Sequence, residues 1–145
     1  DPEARTLIDR YCALLEPLVS TIPSRKVNIF QGSAVPGITL KDYVTRLYQL
    51  ARMELESLSL SLIYLHRLYQ LGSLKFDILT IHRLVLTSLV ISTKYNSDIL
   101  YSNSLYAKVG GISLQELNRL EKSFLHLLGY ELYVTTEAFQ QVQCI

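Results

Sequence analysis

The stretch ILTIHRLVLTSLVISTKYN, running from Ile78 to Asn96, decides the fold. Wound as a helix it is apolar nearly all round, and such a helix belongs at the centre of a bundle. A membrane span does not explain it. Its most apolar part, Ile78 to Thr93, contains His82 and Arg83 and is shorter than the ~18 uncharged residues a spanning helix needs. The rest of the chain must therefore cover this helix. At 145 residues, 49% hydrophobic and 19% charged, it has the material to do so. A chain of this length buries about two thirds of its unfolded surface without staples, and its composition excludes disorder.

The covering elements also read as helices. On the N-terminal side, Glu54 to Leu71 is rich in Leu, with Ser57, Ser59 and Ser61 between apolar residues. The Leu-Ser alternation imitates a strand, but the series Leu58, Leu62, Leu65, Tyr69 and the length favour a helix, with Gly72 as its stop. Before it, Thr39 opens a helix with the stripe Tyr43, Val44, Leu47, Leu50 and Ala51, expected to end near Met53. On the C-terminal side, Ser113 and Glu116 form an S-x-x-E capping box ahead of Leu117, Leu120, Phe124, Leu127 and Leu128. Gly129 closes that helix, and a last one starts near Thr135 or Thr136. Residues 98–111 read as a polar connection ending in Gly110-Gly111.

At the front, Leu7, Ile8, Tyr11, Leu14, Leu15 and Leu18 stripe a helix over 3–21, with Pro17 weakening its last turn. Pro23, Gly32, Pro36 and Gly37 mark 22–38 as an extended surface connection. The expected architecture is all-α. Residues 1–21 carry the N-terminal helix, 22–38 the connection, and 39–145 a five-helix unit around a central apolar helix. No repeat at a solenoid period is visible. The chain opens at Asp1 rather than Met, so a fragment or trimmed piece is expected.

Charge and chemistry narrow the function classes. Lys+Arg 14 against Asp+Glu 13 gives a net charge of +1, which argues against a broad nucleic-acid footprint. Cys12 and Cys144 lie far apart with no CxxC, so neither zinc spacing nor a disulfide framework is present, and a reducing compartment is expected. His66, His82 and His126 each fall inside a helix and none pairs at i, i+4, so they read as structural or surface histidines. Gly110-Gly111 precedes a helix but lacks a phosphate-binding pattern and reads as a turn. The Tyr residues sit at core spacing without interleaved basic residues, which favours packing over base stacking. No catalytic, metal or cofactor site emerges. Two charges stand out: Lys94, ending the central helix, and Glu121, amid Leu117, Leu120 and Leu125. A charge beside a core must be paired or must reach solvent, and both options stay open on spacing alone.

A resemblance now bears on them. Ile63-Tyr64-Leu65-His66-Arg67 resembles the "YIDR" segment of the second cyclin-box helix, and Ile91 to Tyr95 resembles the "ASKF" end of the third. Leu117 to Leu125, followed by Gly129 to Leu132, resembles the fourth helix and its exit. The likeness covers about residues 40–140. It is closer to the P- and U-type cyclins, the group of the yeast phosphate-regulating cyclin. The marks are Phe30-x-x-Ser33-x-x-Pro36, Ile38-Thr39-x-x-Asp42-Tyr43-x-x-Arg46, Thr80-x-His82-Arg83, Lys94-Tyr95-x-x-Asp98 and the run Tyr101 to Ser113 leading into Glu116 to Glu121.

The resemblance implies a non-catalytic regulatory subunit. Such a cyclin binds a cyclin-dependent Ser/Thr kinase and holds its regulatory helix in the active position. It implies that Lys94 and Glu121 are the ion-pairing residues of that interface, with Tyr95, Leu125, Tyr130 and Leu132 as its apolar floor. Asp98 is then expected to meet a basic residue near the kinase activation segment. The implied setting is the cytoplasm or nucleus of a eukaryotic cell, in phosphate, growth or cell-cycle control. The chain is expected to be monomeric until it pairs with the kinase, with no membrane partner. The alternative is a cyclin-like box that binds transcription machinery or nucleic acid.

Departures are visible too. The family's Asp in the second helix is His66 here, which removes the acidic partner of an internal salt bridge. The "MRAIL" segment is absent and there is no Trp, so a docking site for Arg-x-Leu motifs is not expected. Asn96-Ser97-Asp98 stands where cell-cycle cyclins carry two acidic residues. The chain stops at Ile145 soon after the fifth helix, so no second lobe is expected within this stretch.

Overall fold

In the computed structural model, which describes residues 1–144, every residue from Leu84 to Thr93 is buried. These belong to α4 (Ile81–Asn96), the central helix. Around it lie α1 (Pro2–Leu15), α2 (Leu40–Leu50), α3 (Leu55–Leu71), α5 (Asn103–Gly110), α6 (Leu114–Leu127) and α7 (Thr136–Cys144). Among the described residues there is no strand, and no helix is long and apolar enough to cross a membrane. Ile145, the last residue of the expected box, lies outside the described residues, as does the Cys144 side chain.

α3 packs along α4 through small residues. Ser61 of α3 meets Ser88 of α4, both fully buried, and these small side chains let the two backbones come close there. A polar line crosses the contact. The Tyr11 hydroxyl lies 2.7 Å from Ser61 Oγ, and Ser61 Oγ lies 2.6 Å from Ser88 Oγ. Ser88 Oγ also donates to the Ser61 carbonyl at 2.9 Å. Each such bond is worth about 1 kcal/mol net, and each would cost more if left unmade. Burial pushes the Tyr11 phenol far above its usual range, so it stays protonated within this line. The Leu-Ser alternation that imitates a strand is thus wound into a helix, where Ser57 and Ser61 share one side and Ser59 lies on the other.

The front of the chain is part of the core. Asp1 caps α1 by accepting from the Glu3 amide at 3.0 Å, and Ile8, Tyr11, Cys12 and Leu15 are buried against α2 and α3. Burial pushes the Cys12 thiol up to about 12, so it packs as a small apolar group. The helix expected over 3–21 stops earlier. α1 ends at Leu15, and a single 3-10 turn, Glu16–Leu18, carries Pro17, which supplies no amide to continue an α-helix.

Residues 98–111 differ from the expected connection, because they contain α5. The stretch after residue 38 therefore holds α2 to α7 rather than five helices. Ser102 accepts from the Leu105 amide at 3.3 Å and starts α5, while Tyr106, Ala107 and Val109 are buried. Its last carbonyls are satisfied from α2. Tyr43 Oη donates to the Gly110 carbonyl at 2.6 Å, and the Arg46 guanidinium donates to the Val109 carbonyl at 2.9 and 2.6 Å. A Cβ on Gly110 would sit 2.6 Å from Leu86 Cδ2, so the glycine permits close approach to α4. A helix of this length is too short to show a period, and its C-terminal end is stabilised by another element.

The connection at 22–38 is exposed at Ile22, Val27 and Val35, as a surface segment should be, but it is firmly tied down. Its anchor is Asp77, which is fully buried. One carboxylate oxygen accepts from the Leu79 and Thr80 amides at 2.8 and 3.1 Å, and the other accepts from the Ser24 amide at 2.9 Å. Thr80 Oγ1 in turn accepts from the Asp77 amide at 3.0 Å. This turn delays α4 from the expected Ile78 to Ile81. Further along, the Gly32 amide donates to the Leu79 carbonyl at 2.8 Å, and Phe30 packs edge-on against Phe124 of α6.

His82 completes the attachment, donating from Nε2 to the Ile38 carbonyl at 2.9 Å. Burial, with the Arg83 charge adding to it, lowers its pKa below the usual 6.5. Well above pH 6.5 the imidazole is neutral in both folded and unfolded chains and adds no pH dependence. Below it, the unfolded chain takes up a proton that the folded chain resists, so stability falls with pH. Urea unfolding at pH 7 and 5.5 should show a loss that is smaller in His82→Gln. The difference cannot exceed about 1.4 kcal/mol per pH unit, the ceiling for one proton.

Candidate functional site

Where α4 reaches the surface, Lys94 is its first residue to leave the core. Its Nζ donates to both carboxylate oxygens of Glu121, at 3.0 and 2.9 Å. Glu121 is the more enclosed partner, with its side chain 15% exposed against 32% for Lys94. Of the two options left by the sequence, the charges are paired. A third residue joins them. Asn103, at the start of α5, donates from Nδ2 to Glu121 Oε1 and to Asn118 Oδ1, both at 2.9 Å. Nothing in the helical periodicity points to Asn103; its only sequence signal is its place in the Tyr101–Ser113 run.

Leu125 lies one turn beyond Glu121 on α6 and is half-buried. The chain then turns sharply. Gly129 and Tyr130 both take left-handed backbone angles, φ 64° and 59°, and the Tyr130 amide returns to the Leu125 carbonyl at 2.9 Å. Left-handed backbone costs a non-glycine residue about 1–2 kcal/mol, so tertiary contacts must hold Tyr130 there. They come from α3. Tyr64 Oη donates to the Leu132 carbonyl at 2.8 Å. The Arg67 guanidinium donates to the Glu131 and Tyr133 carbonyls at 3.2 and 2.9 Å. Burial pushes the Tyr64 phenol well above its usual range, which keeps it a donor at neutral pH.

The apolar residues expected beside the charged pair differ in exposure. Tyr95 and Tyr130 are half or more exposed, while Leu125 and Leu132 are partly buried against the core. Asp98 stands apart. It is exposed two residues past the end of α4, and no side-chain hydrogen bond or ion pair of the described residues includes it. His66, at the family's Asp position, is exposed on α3, and its neighbour Arg67 is engaged with the exit of α6.

A second ion pair joins the other end of α4 to α6. Arg83 Nε and Nη2 reach Glu116 Oε1 at 3.0 and 2.9 Å. The capping box is therefore half used. Ser113 accepts from the Glu116 amide at 3.1 Å, but the Glu116 carboxylate is taken by Arg83.

The family model for cyclins matches residues 10–132, from within α1 to the exit of α6. The chain belongs to the cyclin family. Cyclin-U4-1 of Arabidopsis thaliana is 38% identical over 117 residues, covering 80% of this chain and 58% of that protein. Cyclin-P3-1 of Oryza sativa subsp. japonica is 37% identical over 111 residues, covering 77% and 47%. PHO85 cyclin-7 of Saccharomyces cerevisiae is 59% identical over a shorter segment of 61 residues, 42% of this chain and 21% of that protein. This cyclin thus falls with the P- and U-type group, and it spans about half the length of the curated plant relatives it matches.

Within this cyclin, Arg67 fixes the segment that carries Leu132. Arg67→Ala should cost about 1–2 kcal/mol, as expected for hydrogen bonds from a charged group to half-exposed carbonyls. Hydrogen exchange should quicken at Tyr130 and Glu131, whose amides bond back to the end of α6, while the amides of α4 keep their protection.

Proposed function

We propose that this cyclin is a regulatory subunit that binds a cyclin-dependent Ser/Thr protein kinase and activates it by holding the kinase's regulatory helix in the active position. The observation that carries the reading is the half-sheltered Lys94–Glu121 pair, with Tyr95 next to Lys94 in α4, Leu125 one turn beyond Glu121 in α6, and Tyr130 and Leu132 at the exit of α6. An apolar surface with charges at its centre suits a partner helix: apolar contacts exclude water, and the charges fix the register. The name of PHO85 cyclin-7 links that relative to a kinase partner of this kind. The chemistry belongs to the kinase, and this chain contributes no catalytic group, metal or cofactor. It works in the cytoplasm or nucleus and is monomeric until it meets the kinase.

The energetics are adequate for switching. Moving a kinase from about 1% to 99% active requires about 5.5 kcal/mol of preference for the active form. Breaking a desolvated charge contact at an interface costs about 2–5 kcal/mol. Two such contacts, made by Lys94 and Glu121 in the active arrangement alone, would supply that preference by population shift.

The test is a pull-down with the PHO85 kinase of Saccharomyces cerevisiae and with kinases of a eukaryotic lysate. Exchanging the charges, Lys94→Glu with Glu121→Lys, keeps the internal pair while inverting what it offers a partner. Wild type should recover a cyclin-dependent kinase, and the exchanged variant, folded by circular dichroism, should not. Recovery by both would remove these residues from the interface, and recovery by neither would turn attention to transcription machinery or nucleic acid.

Asp98 has a separate expected role. Being exposed and free of internal side-chain bonds, it can meet a basic residue beside the kinase activation segment and substitute for a phosphate there. The Asp98→Ala complex should still assemble. Its turnover on a peptide substrate should drop about tenfold or more, the loss of one charge-assisted contact. Normal turnover by that complex would refute the role.

A further inference from the structure

Resting on the function proposed above, we infer that Asn103 is a positioning residue of the partner-binding site: it holds the Glu121 carboxylate so that Lys94 can turn outward to a partner. In the free chain two of the three Lys94 donors are spent on Glu121, at 3.0 and 2.9 Å. The third is free for a partner, but turning the side chain outward to make more than one contact there releases at least one bond to Glu121. Glu121 is only 15% exposed, so water cannot fully replace a lost donor, and an unpaired charge at that depth is costly. Asn103 Nδ2, 2.9 Å from Glu121 Oε1, keeps a donor on the carboxylate whichever way Lys94 points.

Asn103 is itself held on a rigid element. It begins α5 directly after the capping residue Ser102, and Asn118 accepts its other N–H at 2.9 Å. Its Oδ1 is buried without a hydrogen-bond partner. A buried acceptor left unmade costs stability, which fits an amide oriented for its donor side. The short helix α5 therefore brings a neutral donor to a site that otherwise consists of one cation and one anion.

The test measures affinity for the PHO85 kinase in two backgrounds. Asn103→Ala should weaken binding about tenfold, the equivalent of losing about 1.4 kcal/mol. In the Glu121→Gln background the same substitution should matter less, about threefold, because a neutral acceptor halves the strength of the bond. A purely structural role for Asn103 in starting α5 would give equal losses in both backgrounds, and that result, or no loss at all, overturns the inference while leaving the kinase reading intact. A wild-type chain that binds neither PHO85 nor any lysate kinase overturns the function reading, and this inference with it. Unfolding midpoints for all four proteins separate lost affinity from lost folding.

Discussion

Everything in this structure depends on burying α4 along its whole middle. A helix with no solvent face needs neighbours on every side, and the closest is α3. The contact works because serines replace bulk at the crossing, and because Tyr11, Ser61 and Ser88 satisfy one another across it. A buried hydroxyl without a partner would cost more than the bond returns. The polar line is thus a condition on the packing, and it reaches from α1 through α3 to α4. It makes the front helix part of the same core.

With its middle fixed, α4 offers chemistry only at its ends. Arg83 near one end and Lys94 near the other each take a carboxylate from α6, Glu116 and Glu121. Two ion pairs on one pair of helices set both the rotation and the register of α6. The same device that orients α6 presents Lys94 and Glu121 at the surface. Structural and functional uses of these charges are therefore not alternatives, because a partner would draw on a pair the fold already requires. Asn103 makes the sharing workable by leaving Glu121 a donor of its own.

The proposed apolar floor has a different origin. Leu132 and Tyr130 lie after α6, where the chain could leave in many directions. The left-handed backbone at Gly129 and Tyr130 turns it back, and Tyr64 and Arg67 of α3 hold the returning carbonyls. The position of the departure from the family pattern is informative here. His66 sits exposed between these two anchors, and the anchoring falls to its neighbours in the same helix.

The sequence by itself determined what local pattern can encode. The all-apolar run of α4, the stripes of α2 and α6, the caps at Thr39 and Ser113 and the stop at Gly72 are visible because each depends on residues within one or two turns. The likeness to cyclins also marked Lys94 and Glu121 before their contact was known. Only the tertiary structure decided the rest. α5 exists because Tyr43 and Arg46 of another helix satisfy its last carbonyls. The connection at 22–38 is anchored by a buried carboxylate, Asp77, far away in sequence. Glu116 leaves its capping box for Arg83, and Asn103 meets Glu121 across a turn. In each case the deciding partner is remote along the chain. A donor or charge chooses among possible partners only once burial has removed water from the competition.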